Sequence, residues 1–381
     1  MPRRGRSVLA SLVFVALAPP DTHAQAPPEL TWYGYVKMDA SWDQGLINSG
    51  NFARWVVSPD VFEAHSHFNM TARQTRLGFS VRTAAGGAAV TARLESDFYG
   101  GGAENKNALQ VRHAFVEASW PSGWSILAGQ ASDVVSPLNP GTLNYTVAWW
   151  GGNVGYRRPQ LRVTRRVDLG GGKEFRIQAA ATRTIGDDFV SAEPGDSGAD
   201  AALPTVQGLV GLTVPVGGRP LSLGAYAHHG RENLHCELGG EPVDLSSSSW
   251  GAYLTLPLGA VALNGEAWTG WNLDDYLGGI GQGIRVADQM AENVGGRGGW
   301  AELSVKHGAA SLRAGAGIDD PDDDDLWVSA RARNTVVWGT AVRDAGGGLS
   351  YGMEVSRWET TYVQSTTGTS WRVQGSVTFT F

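Results

Sequence analysis

The stretch Ser370-Trp371-Arg372-Val373-Gln374-Gly375-Ser376-Val377-Thr378-Phe379-Thr380-Phe381 decides how this chain reads. Trp371, Val373, Val377, Phe379 and Phe381 share one parity, and Arg372, Gln374, Ser376, Thr378 and Thr380 share the other. Alternation with period two is a strand with one apolar and one polar face. An aromatic strand at a chain end is unusual in a water-soluble fold, whose termini are polar and frayed. A wall segment with lipid outside and water inside carries this pattern. The expected fold class is therefore all-β, a transmembrane antiparallel β-barrel.

Working backwards, alternating segments fall at 29–42, 69–83, 88–100, 109–120, 124–133, 157–168, 173–184, 204–215, 219–230, 248–257, 259–271, 297–308, 309–319, 333–344, 348–363 and 369–381, about sixteen strands by the period-two criterion. The gaps alternate in kind. Those after even strands are tight and glycine-bearing, such as Ala84-Ala85-Gly86-Gly87, Leu169-Gly170-Gly171-Gly172 and Val216-Gly217-Gly218. Those after odd strands are long or polar. Short turns at one end and long loops at the other, with an even strand number, are the topology of bacterial outer-membrane barrels, and a soluble sandwich has no need of it. Trp120 and Trp124 flank a turn, and Trp32, Trp42, Trp268, Trp271, Trp338 and Trp358 fall toward strand ends, where aromatic girdles are expected.

The N-terminus reads as an export signal. Arg3, Arg4 and Arg6 precede an apolar run at 8–18, too short to span a bilayer as a helix, and Thr22-His23-Ala24 offers small residues for cleavage after Ala24. Residues 1–24 are thus expected to be a signal peptide, and 25–381 a single barrel domain in the outer membrane of a Gram-negative bacterium. A net charge of −7 argues against nucleic-acid binding. The chain has one cysteine, Cys236, in a polar stretch, read as incidental.

Parity also assigns the lumen. Lys37, Arg76, Arg82, Arg93, Arg162, Arg166, Arg176, Lys306, Arg313 and Arg372 point inward, against Asp39, Glu95, Asp97, Glu266, Glu302 and Glu354. A basic surplus in a narrow pore attracts anions; opposite charges pairing across the lumen would neutralise much of it. Arg165 falls on the lipid parity, which at mid-bilayer costs about 2–4 kcal/mol, so it belongs near an interface or beside a bulge. The faces of 109–120 and 124–133 stay ambiguous. The segment 134–156, with Pro137, Pro140, Tyr145, Trp149 and Trp150, is long and apolar for an exposed loop. It is expected to fold into the barrel and narrow it, or else to contact another subunit.

Several segments together resemble the DcaP-like outer-membrane porins. They are Trp32-Tyr33-Gly34-Tyr35-Val36-Lys37-Met38-Asp39, Gly50-Asn51-Phe52-Ala53-Arg54-Trp55, Arg73-Gln74-Thr75-Arg76-Leu77-Gly78-Phe79, Leu138-Asn139-Pro140, Gly155-Tyr156-Arg157-Arg158-Pro159-Gln160, Asn264-Gly265-Glu266 and Tyr276-Leu277-Gly278-Gly279-Ile280-Gly281-Gln282-Gly283. The resemblance implies a sixteen-stranded trimeric porin whose arginine-rich constriction favours small anions, especially dicarboxylates. It places Arg76, Arg157 and Arg158 near that constriction. The coiled-coil extension of some members is not expected here, because only residues 25–29 separate the cleavage site from the first strand. Partners would be anionic solutes, outer-membrane lipid and lipopolysaccharide, and the barrel-assembly machinery, whose signal the aromatic tail resembles. Other copies of the chain would complete a homotrimer.

Enzyme and metal motifs are not found. The glycines of 278–283 fail the dinucleotide fingerprint, with Ile284 where a glycine is needed. No Gly-x-Ser-x-Gly elbow and no His-Glu-x-x-His pair occurs. His228 and His229 alternate faces, and the aspartates of 319–325 lack the glycine and distal Glu of a calcium loop. No cofactor or metal is expected, and the rival readings are a closed adhesin or receptor barrel and an outer-membrane hydrolase.

Overall fold

The computed structural model describes residues 27–381 apart from 48–50, 64, 103–105, 186–197, 199–200, 235–242 and 288–289. The expected signal peptide, Cys236 and Gly50 lie outside the described residues. The strands in chain order are β1 (Glu29–Asp43), β2 (His67–Thr71), β3 (Arg76–Ala85), β4 (Ala88–Asp97), β5 (Gln110–Ser119), β6 (Trp124–Ser132), β7 (Arg157–Gly170), β8 (Lys173–Thr182), β9 (Thr205–Val216) and β10 (Arg219–Leu234). They continue with β11 (Val243–Leu258), β12 (Val261–Trp271), β13 (Ile284–Ala287), β14 (Met290–Asn293), β15 (Gly295–His307), β16 (Ala310–Pro321), β17 (Arg331–Gly346), β18 (Leu349–Tyr362) and β19 (Ser365–Thr380). β2 and β3 are two halves of one wall strand, both paired with β1. β13 and β14 form a separate hairpin, which the sequence reading did not foresee. The remainder is a closed antiparallel barrel of sixteen strands.

Closure runs through β1 and β19, in register from Tyr35 opposite Thr380 to Asp43 opposite Arg372. The C-terminal residue joins the ladder: the Phe381 N–H donates to Gly34 O (3.1 Å) and the Gly34 N–H donates to Phe381 O (3.2 Å). Every backbone group of a lipid-facing wall needs such a partner, since hydrocarbon offers none. The opening stretch keeps its alternation: Trp371, Val373, Val377, Phe379 and Phe381 are exposed on the outer wall, while Arg372, Gln374 and Ser376 are buried inside.

One end of the barrel has tight turns at 86–87, 120–123, 171–172, 217–218, 259–260, 308–309 and 347–348. Gly86 and Gly87 (φ 56° and 73°) show why glycine sits there, because a two-residue hairpin turn with both φ positive matches strand twist. The other end carries the long connections. Its last one departs from the expected pattern: Tyr362 and Ser365 are joined by only Val363 and Gln364.

Two ambiguities resolve. A bulge between Glu95 and Ser96 on one side and Val111 and His113 on the other resets parity within β5. Val111 faces out before it and Val116 faces out after it, so no single alternation describes the strand. Arg165 is on the outer face beside the 120–123 turn, its guanidinium 5.4 Å from the exposed Trp124 ring, at a membrane boundary. One expectation is corrected. Trp268, Trp338 and Trp358 are not girdle residues; each is at most 4 % exposed and faces the lumen, where inward-folded segments cover them.

Candidate functional site: the lumen and its inward-folded loops

The segment 133–156 starts and ends at one point of the wall: the Asp133 N–H donates to Tyr156 O (2.9 Å) and the Tyr156 N–H to Asp133 Oδ2 (2.8 Å). Between these ends it crosses the lumen, and its peptide groups need acceptors there. Three wall glutamates supply them. The Leu138 N–H donates to Glu266 Oε1 on β12 (2.7 Å), the Gly141 N–H to Glu302 Oε2 on β15 (2.8 Å), and the Leu143 N–H to Glu354 Oε2 on β18 (2.6 Å). The Ser136 hydroxyl also donates to Glu266, the Trp338 indole to Glu302 (3.1 Å), and the Thr340 hydroxyl to Glu354 (2.9 Å). From β1, Lys37 Nζ donates to Leu143 O (2.8 Å). A buried carboxyl oxygen left without such partners would be costly, so the loop and the glutamates satisfy each other.

Apolar packing fixes the rest of the loop. Trp150 is fully buried, with Phe52 5.7 Å and Trp55 6.0 Å from its ring, and Tyr145 stacks on Tyr99 at 3.8 Å. Burial pushes the Tyr145 hydroxyl up to about 12, so it stays a neutral phenol, donating to Asp97 Oδ2 (3.0 Å) and accepting from Arg157 Nη2 (3.3 Å).

Two further loops fold inward beside it. In the first long loop, Ile47, Ala53 and Val56 join Trp300, Val336, Trp338 and Trp358 in one apolar cluster, and Ala53 O accepts from the Thr146 hydroxyl (2.7 Å). Arg54, in the same loop, lies 4.7 Å over Trp55; burial, and then neighbouring Arg331, lower its pKa to about 10. In the loop after β12, residues 272–284 are all buried. Leu277 O accepts from the Trp150 N–H (2.9 Å) and Tyr276 O from the Gly155 N–H (2.7 Å). Leu277 and Ile280 have positive φ (61° and 51°), strain that their complete burial against Trp150 holds in place. The glycine-rich stretch Gly278–Gly283 is thus loop-packing backbone.

The lumen residues singled out by parity or by the resemblance separate into two groups. Lys37, Asp39, Arg158 and Arg372 point inward but are sealed within packed networks. Lys37 Nζ lies 3.1 Å from Asp39, Arg158 Nε 2.9 Å from Asp133, and Arg372 Nη1 2.9 Å from Asp43, and Arg372 itself is 0 % exposed. Arg157, on the outward parity at the start of β7, is nonetheless buried, its guanidinium 4.6 Å over the Tyr156 ring. The others keep contact with water. Arg76 and Arg93 lie 3.5 and 2.6 Å from Glu95, with Arg93 37 % exposed. Arg162 is half-buried, and Arg176 Nη2 donates to the Tyr253 hydroxyl (3.3 Å). Arg166 stands directly opposite Arg176 in the ladder and 3.9 Å from Glu174. Like charges opposed across two strands repel, and only a hydrated surface tolerates the pair cheaply. Arg313, 32 % exposed, reaches from β16 to Gly141 O (3.2 Å) at the loop.

Sequence reasoning missed Arg112, which bonds Glu95 (2.9 Å) and Asp97 (2.7 Å). The bulge hid it, since simple alternation cannot place a residue at a parity reset. Among the described residues, no three His, Cys, Asp or Glu side chains gather as a metal site, and no helix is long and apolar enough to cross a membrane.

Comparison with solved structures assigns the architecture. The chain is similar to the outer-membrane channel DcaP of Acinetobacter baumannii, with TM-score 0.75 and 20 % identity over 93 % of this chain and 97 % of that one. It is also similar to an anion-selective porin from Comamonas acidovorans, with TM-score 0.60 and 13 % identity over 93 % and 100 %. A third likeness is to the outer-membrane-expressed OmpT of Vibrio cholerae, with TM-score 0.57 and 10 % identity over 93 % and 98 %. No protein-family model and no curated protein sequence matches the chain. The closed sixteen-stranded barrel of this chain thus shares its fold with these outer-membrane proteins.

Proposed function

We propose that the chain is an outer-membrane diffusion porin that passes small hydrophilic solutes and prefers anions, dicarboxylates among them. One observation carries this reading: the inward acids and bases are used unequally. Glu266, Glu302 and Glu354 are each at most 5 % exposed and spent on holding a loop, whereas Arg76, Arg93, Arg112, Arg162, Arg166 and Arg176 occupy the half-buried or exposed inner face from β3 to β8. Glu95, Asp97 and Glu117 offset part of that charge on the same arc. The residual positive field in a water-filled constriction would concentrate anions. Residues 133–156 would form the constriction, as a loop that the wall glutamates keep from moving. Residues 1–24 would direct export, the barrel-assembly machinery would insert the chain, and three copies would assemble in a bilayer whose outer leaflet is lipopolysaccharide.

Reconstitution in a planar bilayer under a salt gradient tests this. Stepwise currents in groups of three with an anion-selective reversal potential are expected; a cation-selective value would overturn the charge assignment. A second reading, a closed receptor barrel, is favoured by the three loops packed into the barrel. Silent bilayers containing demonstrably folded protein would establish it instead.

A further inference from the structure

The outer wall has a hollow where β8, β9 and β10 meet. Across these strands the ladder aligns Ala179 with Gly208 and Gly208 with Ala227, three small residues side by side. The exposed Ile177, Val206 and Val210 rise around them, and the next strand sets Trp250, 64 % exposed, beside Ala227. The result is a groove of about 610 Å³ whose rim includes Ile177, Val206, Val210 and His229. It opens outward, since the inner side of the same wall is closed by Leu209 and Tyr226 packed on Val134, Val135 and Tyr276. A Cβ built on Gly208 would meet nothing nearer than Gln178 O at 3.8 Å, so the hollow is real space.

Height fixes which leaflet faces it. Ala227 lies eight residues beyond Arg219, where β10 leaves its short turn, which along a strand tilted by about 40° is roughly 20 Å of an apolar band about 25 Å tall. The groove therefore lies toward the long-loop end, in the outer leaflet. Directly above it, the ladder places both Ala181 and His229 opposite Val206, and two residues further along the same two chain segments come the exposed Arg183 and Arg231. Arg231 shares its guanidinium with Asp244 across the strands, and His229 Nδ1 is 2.7 Å from the Ser248 hydroxyl. Two guanidinium groups at the head of an apolar groove match an amphiphile with phosphate at one end and hydrocarbon at the other, because the guanidinium fork fits phosphate oxygens and Arg183 and Arg231 together offer several N–H donors. The volume suits a small-ligand site.

We propose that this groove binds a phosphorylated outer-leaflet glycolipid of the lipid A type, an acyl chain lying over Gly208 and a phosphate held by Arg183 and Arg231. The proposal rests on the outer-membrane reading above and is independent of pore selectivity.

The test is native mass spectrometry of the detergent-purified protein with defined bisphosphorylated lipid A, and with phosphatidylglycerol of matched acyl length. Wild type should retain lipid A in preference to phosphatidylglycerol. Gly208→Phe, which fills the hollow, and the double variant Arg183→Glu/Arg231→Glu should each weaken retention at least about tenfold. Folding is checked by heat-modifiable migration, and conductance of both variants should match wild type. Equal retention of phosphatidylglycerol, or undiminished lipid A binding by both variants, overturns the proposal. So does a photocrosslinker at Ala227 that captures a second copy of the chain in place of lipid. Folded wild type that retains lipid A but passes no current overturns the channel reading alone and supports the lipid site.

Discussion

The arc of wall from β3 to β8 and the arc from β12 to β18 are built on the same alternation, yet their inward charges do opposite things. On the first, arginines gather around few acids and keep contact with water; Glu95 alone is approached by Arg76, Arg93 and Arg112. On the second, Glu266, Glu302 and Glu354 face inward with comparable geometry but are buried beneath a loop whose peptide N–H groups they accept. A charge census from sequence counts both arcs alike. The comparison teaches that an inward carboxylate contributes to a pore's field only if nothing has been laid over it.

The largest effect should come from removing what covers the second arc. Trp150→Ala deletes the fully buried ring shared by all three inward loops, and such truncations cost about 3–5 kcal/mol. The thermal midpoint should fall and channel current should become noisy as the loop loosens. Unchanged, quiet channels would show that the hydrogen bonds alone hold it. Next, Glu302→Ala with Glu354→Ala strips the acceptors of the Gly141 and Leu143 N–H groups, at about 1–3 kcal/mol each. Unfolding in denaturant should register that loss, and conductance should rise several-fold. Glu302→Gln with Glu354→Gln keeps an acceptor oxygen and should recover most of the stability. Because these carboxylates are covered, the double glutamine variant should leave the reversal potential near wild type; a large anionic shift would mean they do reach the pore.

Alanine at Arg76 and Arg162 sharpens the comparison from the other side. Stability should move by about 1 kcal/mol or less, as expected for half-buried side chains that still meet water, while the reversal potential shifts toward cation selectivity. No shift would place the constriction elsewhere. Smallest is the clamp at the loop mouth, where the exposed Asp60 accepts from the Thr366 N–H and hydroxyl, both at 2.7 Å. Those bonds, the backbone one first, hold its carboxyl below the ordinary value. The contribution is therefore complete above the usual Asp pKa of about 4 and is lost as pH falls through the depressed one. Asp60→Asn should flatten that part of an acid-stability profile and change little at neutral pH.

Much of this was legible beforehand, and for one reason: a lipid-facing wall imposes period two on every strand. Glu29–Asp43 was expected to within a residue, and Arg165 was already marked as belonging near a boundary. Legibility ended where a local event broke the period, as at the bulge that turns Arg112 inward. It ended also where an inward side chain meets another part of the chain. Trp338 and Trp358 have the composition of girdle residues, and only the presence of Ala148 and Val56 over them shows that they are core. Residues 272–284, fully as buried as the 133–156 loop, gave no comparable signal, since a glycine-rich run is equally at home in an open turn.

The three glutamate contacts have a mechanical meaning as well. They join one side of the tube to an internal strut along its middle, so β12 to β18 is cross-braced, whereas β3 to β8 meets the same loop chiefly at its two ends and through Tyr145. A ring stiffened on one side yields to lateral pressure on the other. Bilayer compression should therefore flatten the barrel mainly along its arginine-lined arc, and amide hydrogen exchange in thick and thin bilayers would reveal it as a change confined to β3–β8. Uniform change around the circumference would mean that the strut carries no load.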